Sequence, residues 1–230
     1  MITESFEYVF YLPSNEIRNY KVEIDKETRT LLSNKLMKPD EIEWTNLSFQ
    51  QCSICPLTED DYPKCPIAWN LHSLVQTFSD QISFQEVDVE ILTSQRIYKK
   101  STTLQIGLQS LFGIMMATSN CPKLSFLSPM ALFHLPFASF EETIIRSASF
   151  YLLKQFFNKL DGNDYNFSMA GLKKQYEEVE VVNQDFLNRI HAIEAEGDAS
   201  LNAINTLNAF AQMFSLQYEI NMESLHYIFK

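Results

Sequence analysis

The sequence predicts an α+β protein: a small antiparallel sheet of two hairpins packed by a helical layer, with a C-terminal helical hairpin. Two stretches, 6–25 and 86–101, alternate apolar and polar residues with period two. Three segments between Ile67 and Leu160 instead repeat apolar residues every three or four positions, and the last third does so twice around a break at Gly197-Asp198.

In the first hairpin Phe6, Tyr8, Phe10 and Leu12 fall on one face. Pro13-Ser14-Asn15 supplies a turn, and Ile17, Tyr20, Val22 and Ile24 return. In the second, Val87, Val89 and Ile91 alternate with Asp88 and Glu90 before Thr93-Ser94-Gln95 turns the chain into Arg96-Ile97-Tyr98-Lys99. Together they predict four strands with one solvated face.

The first helix follows Cys65, where Ile67, Leu71, Leu74, Val75 and Phe78 form a stripe. A second spans about 103–119, with Leu104, Leu108, Leu111, Phe112 and Met115 on one side. Its small residues Gly107, Ser110, Gly113 and Ala117 permit close backbone approach. The third, about 140–159, opens with Ser139-Phe140-Glu141-Glu142, a capping box, and stops at Asp161-Gly162. Being apolar nearly all round, it is expected to be buried.

Leu172, Tyr176, Val179, Asn183, Phe186, Ile190 and Ile193, then Ile204, Leu207, Ala211, Phe214 and Tyr218, give the last two helices coiled-coil character. Asn183 is either a register-setting residue of a self-association interface or an internally packed amide. Residues 1–162 are expected to form the α+β domain and 163–230 the hairpin packed on it as one structural unit.

At 230 residues with 46% apolar composition and 5 glycines, the chain can bury a substantial core. A net charge of -11 with no basic run argues against nucleic acid and membrane surfaces as partners. Neither a signal peptide nor a membrane-spanning stretch is expected, which points to the cytoplasm. A protein partner or self-association through the C-terminal hairpin is expected instead.

Chemistry concentrates in four cysteines, Cys52-x2-Cys55-x9-Cys65-x55-Cys121, three of them followed by Pro56, Pro66 and Pro122. In a reducing compartment such a set reads as metal ligands more readily than as disulfides. The C-x-x-C turn presents two sulfurs on one side of the backbone. Cys65 stands at a helix N-cap with Pro66 at the first helical position, where the dipole favours a thiolate. Cys121 follows a helix end, where Asn120 suits the left-handed conformation and the dipole favours a cation.

A tetrathiolate zinc site is the first expectation, although a second C-x-x-C pair is missing. An iron-sulfur cluster is the alternative, because four thiolates also hold one and Cys-Pro occurs in ferredoxin-type runs. A dithiol switch at Cys52 and Cys55, a haem on a Cys-Pro pair, or four unrelated cysteines also remain open.

His72, seven residues beyond Cys65, lies about 10 Å along the helix and reads as a packed or surface residue. His134, ahead of Glu141, Glu142 and Arg146, has no serine or cysteine partner at motif spacing. A pocket joining His134, Glu141 and Arg146 beside the thiolates would nevertheless signal an enzyme. Glu177, Glu178 and Glu180 read as a solvated face. No phosphate-binding loop, dinucleotide fingerprint, H-E-x-x-H or G-x-S-x-G occurs, so a non-enzymatic structural, regulatory or interaction module is expected.

The block from Cys52 to Leu160, with Cys-Ser-Ile-Cys-Pro-Leu (52–57), Cys-Pro-Ile-Ala (65–68), Met-Ala-Thr-Ser-Asn-Cys-Pro (116–122), His-Leu-Pro-Phe (134–137), Glu142-Thr143 and Tyr-Leu-Leu (151–153), resembles an uncharacterised family of small bacterial cytosolic proteins. The resemblance implies that the cysteines travel as a set. It implies no activity, substrate or cofactor.

Overall fold

Period-two patterning becomes a four-stranded antiparallel sheet in the computed structural model, which describes residues 2–13, 15–32, 42–193, 197–216, 223 and 225–230. The strands are β1 (Thr3–Tyr11), β2 (Ile17–Asp25), β3 (Glu86–Thr93) and β4 (Ile97–Thr103), in the order β2-β1-β3-β4. β1 pairs with β2 and β3, so the two hairpins join through Tyr8↔Ile91 and Phe10↔Val89. This register puts Phe6, Tyr8, Phe10, Val22, Ile24, Val87, Val89 and Ile91 into the core and turns the alternate residues outward.

Six helices follow the described order: α1 (Pro66–Thr77), α2 (Leu104–Ala117), the single turn α3 (Ser128–Ala131), α4 (Phe140–Leu160), α5 (Ala170–His191) and α6 (Ala199–Leu216). α1 and α2 cover the sheet. Phe78 meets Phe10 edge to face at 5.1 Å. At Gly107 the helix comes so close that a Cβ would stand 2.9 Å from Phe10 Cε1 and 3.0 Å from Val89 Cγ2. The small side of α2 therefore has a specific use.

α5 and α6 pack as an antiparallel pair whose apolar stripes face inward, with α6 against α2. Tyr176 of α5 stacks on Phe214 of α6 at 3.7 Å between centroids. Buried residues of sheet and helices form one continuous cluster. Phe186 is 3% exposed within it, so the hairpin's apolar stripe is consumed inside the chain. Tyr218, at the end of the expected repeat, lies outside the described residues.

The capping box forms in full: Glu142 N–H donates to Ser139 Oγ at 3.1 Å, and Ser139 N–H to Glu142 Oε2 at 2.7 Å. Gly162 takes a positive φ of 74° just beyond α4. The expected burial of α4 is corrected, however. Ile144, Ser147, Ala148, Tyr151 and Gln155 are buried, whereas Leu152, Leu153, Phe156, Phe157 and Leu160 are exposed. One stripe meets α3 and α5, Tyr151 and Gln155 bond the segment 166–168, and the other face of the C-terminal half lies open.

Candidate functional site

The cysteines arrive on three different supports. Cys55 N–H donates to Cys52 C=O at 3.0 Å, closing the C-x-x-C turn. Asp185 of α5 anchors that turn, its Oδ2 accepting from Ser53 N–H at 2.7 Å and Ser53 Oγ–H at 2.8 Å. Cys65 caps α1 in extended backbone, with Pro66 at the first helical position and its own N–H donated to Thr45 C=O at 2.8 Å. Cys121 follows Asn120, whose φ of 70° is the left-handed turn that lets the chain leave α2.

All four half-buried cysteines line one small cavity of about 30 Å³, walled also by Pro56, Pro66, Val182, Phe186 and Arg189. They are free thiols. Among the described residues, no three or more Cys, His, Asp or Glu side chains make up a group that could hold a metal ion as it stands. Ligation therefore requires the sulfurs to close in on the cavity they share.

The electrostatics divide. Burial pushes the Cys52 thiol up to about 12, and Asp185 adds to the effect by accepting from the thiol. Burial likewise raises Cys121 to about 11, against the backbone N–H groups of Lys123 and Leu124, which favour its thiolate. Arg189 stands beside them: burial holds its guanidinium below the ordinary arginine value, while the nearby Cys65, Cys55 and Cys52 act in the opposite sense. It is 2% exposed and makes no ion pair among the described residues.

Instead its guanidinium donates to four carbonyls: Trp44 and Asn46 at 2.7 Å, Leu47 at 3.1 Å and Gln50 at 3.3 Å. Arg189 thus ties the loop before the C-x-x-C turn to α5. Neither Arg189 nor Asp185 was singled out by spacing arguments, because both lie more than 120 residues from the segment they hold.

The histidines separate as follows. His72 is packed, its Nδ1 2.6 Å from Trp69 C=O and its ring against the Trp69 indole. His134 has no partner at motif spacing, as expected, but it does have distant ones: Nε2 lies 3.3 Å from Ser110 Oγ of α2 and 2.6 Å from Tyr8 Oη. The partners come from a strand and a helix distant in sequence, so no motif spacing reveals them. Burial and the nearby Arg146 hold its imidazole down to about 3. A general base works best near the operating pH, so this ring is a neutral hydrogen-bonding group rather than a base.

His134, Ser110 and Arg146 line a second cavity of about 440 Å³ between α2, α5, α6 and the loop 124–138. Glu141 and the cysteines are not on its wall. His134 and Arg146 thus share a cavity that is separate from the thiols, with α5 between the two: Val179 and Asn183 face the larger one, Val182, Asp185 and Phe186 the smaller.

A family match spans residues 6–230. The chain belongs to the family described as Domain of unknown function (DUF6901). No curated protein and no solved structure matches it. The family match covers both cavities. No helix among the described residues is long and apolar enough to cross a membrane.

Proposed function

We propose that the protein holds one metal ion, zinc in the first instance, between Cys52, Cys55, Cys65 and Cys121, as a structural or regulatory site in a non-enzymatic interaction protein. The observation that carries this reading is the convergence of all four cysteines, from three supports, on one cavity. Its size favours a single ion: about 30 Å³ suits one water-sized body and is too small for an iron-sulfur cluster or haem. Arg189 adds charge complementarity, because a zinc tetrathiolate carries a net negative charge that a buried, carboxylate-free guanidinium offsets.

Binding would draw the sulfurs inward and release the protons that burial now keeps on Cys52 and Cys121. Since the unfolded chain lacks the site, the ion would stabilise the fold by several kcal/mol. A bacterial cytoplasm goes with this reading, because four free thiols persist in a reducing compartment. Elemental analysis of anaerobically purified protein tests it: one zinc per chain, lost in Cys65→Ser and Cys121→Ser, is expected. Metal-free protein, or a metal content that both variants retain, defeats the reading, and broad visible absorption with bound iron replaces it with the iron-sulfur alternative.

The interaction role draws on the open face of the C-terminal half of α4, where Leu153, Phe156, Phe157 and Leu160 are about half exposed or more. Light scattering on Phe157→Glu tests self-association there.

A further inference from the structure

The 440 Å³ cavity has the size of a small-molecule site and walls to match, with Ile106, Leu124, Leu127, Leu207 and Phe210 contributing apolar surface. Close-packed interiors rarely leave such space. Three polar groups on its wall are unusual for what they lack. Asn183 of α5 is only 3% exposed, yet its side-chain amide makes no hydrogen bond among the described residues. Its nitrogen and oxygen are not among the fully enclosed polar atoms without a partner, so the amide opens onto the cavity, where a ligand can meet it.

Half-buried Arg146 of α4 donates from one nitrogen to Phe133 C=O at 2.6 Å and Met130 C=O at 3.4 Å, and forms no ion pair among the described residues. The nearest carboxylate it feels, Glu142, is engaged in the capping box with Ser139. Exposed Lys100 lies over the Phe137 ring at the rim, 5.6 Å from its centroid, also without an ion pair. Two cations without anionic partners among the described residues thus line one apolar cavity in a chain of net charge -11.

We propose that this cavity binds a small organic acid, an apolar body ending in a carboxylate that pairs with Arg146 while Asn183 hydrogen-bonds the same head. A carboxylate matches the planar fork of guanidinium donors that the two carbonyls leave unused. Neutral His134 and Ser110, already bonded to each other and to Tyr8, supply polar wall without competing charge. The site shares no lining residue with the cysteine cavity, so it stands or falls independently of the metal reading.

Calorimetric titration of the full chain with n-alkanoates from octanoate to dodecanoate, and with the neutral alcohols of the same lengths, tests the assignment. One alkanoate per chain should bind, at least about tenfold more tightly than its alcohol. Arg146→Met should bring the acid down to the level of the alcohol, and Arg146→Lys should restore part of the difference. If the Arg146 variants do not fold, the acid-to-alcohol ratio on the native chain decides. Equal binding of acid and alcohol, acid binding that survives Arg146→Met, or no binding of any acid overturns the proposal. Leu207→Trp, which fills the cavity from α6, should abolish binding; a filled cavity that still binds the acid overturns it as well.

Discussion

Acid should destabilise this fold through one imidazole. In the folded chain His134 is held near 3, whereas an unfolded histidine titrates at its ordinary 6.5. Between these values the unfolded chain binds a proton that the folded chain refuses, so stability falls as pH drops below about 6.5 and is fully lost from this source below about 3. At about pH 4.5 the unfolded ring lies about two pH units below its own pKa, an upper value of about 2.7 kcal/mol. One side of the ring faces the cavity, where water softens the effect, so a loss of about 1–3 kcal/mol is the range to expect. Urea unfolding of wild type and His134→Gln at about pH 7.5 and about pH 4.5 isolates it. Carboxylates titrate in both proteins and cancel in the double difference, and the loss of the Tyr8 contact lowers the variant equally at both pH values. The wild type should lose about 1–3 kcal/mol more than the variant on acidification. Equal losses would mean that the folded ring accepts a proton freely and that its burial against Tyr8 and Arg146 has no thermodynamic weight.

Gly107→Ala places a methyl group 2.9 Å from Phe10 Cε1 and 3.0 Å from Val89 Cγ2, both on fully buried side chains; overpacking of about 1–3 kcal/mol outweighs the helix-propensity gain of at most about 1, so thermal unfolding should show a net loss. Arg189→Met leaves the carbonyls of Trp44, Asn46, Leu47 and Gln50 short of a donor. A cost of about 2–4 kcal/mol is expected, with faster amide exchange confined first to 44–55. If the cysteine cavity holds zinc, a strong chelator under reducing conditions should lower the melting temperature of wild type and leave Cys65→Ser unchanged. A wild-type melting temperature that chelation does not move argues against a folded-state metal.

Much of the fold was legible because local signals agreed with tertiary demands. Strand alternation, Pro66 after Cys65, Asn120 before Cys121 and the Ser139–Glu142 box each concern neighbours in sequence, and each appears where expected. α4 defeated its hydropathy because an all-round apolar helix says nothing of how much protein surrounds it. The distant partners were illegible for a related reason. Nothing in the spacing singles out Asp185 and Arg189, and only the folded chain reveals that they hold the C-x-x-C loop and the segment before it. Likewise Tyr8, Ser110 and His134 meet through the sheet-to-helix packing, with no spacing that announces them.

α5 forms a party wall. Asn183 and Asp185 are two residues apart on the same rod, one at the larger cavity and the other clamping Ser53 beside the thiols. The side chains of this one helix thus serve two compartments that have no lining residue in common. The partition is a single helix, about 10 Å across with its side chains, and a substitution meant for one compartment has to be chosen by the face of α5 it stands on.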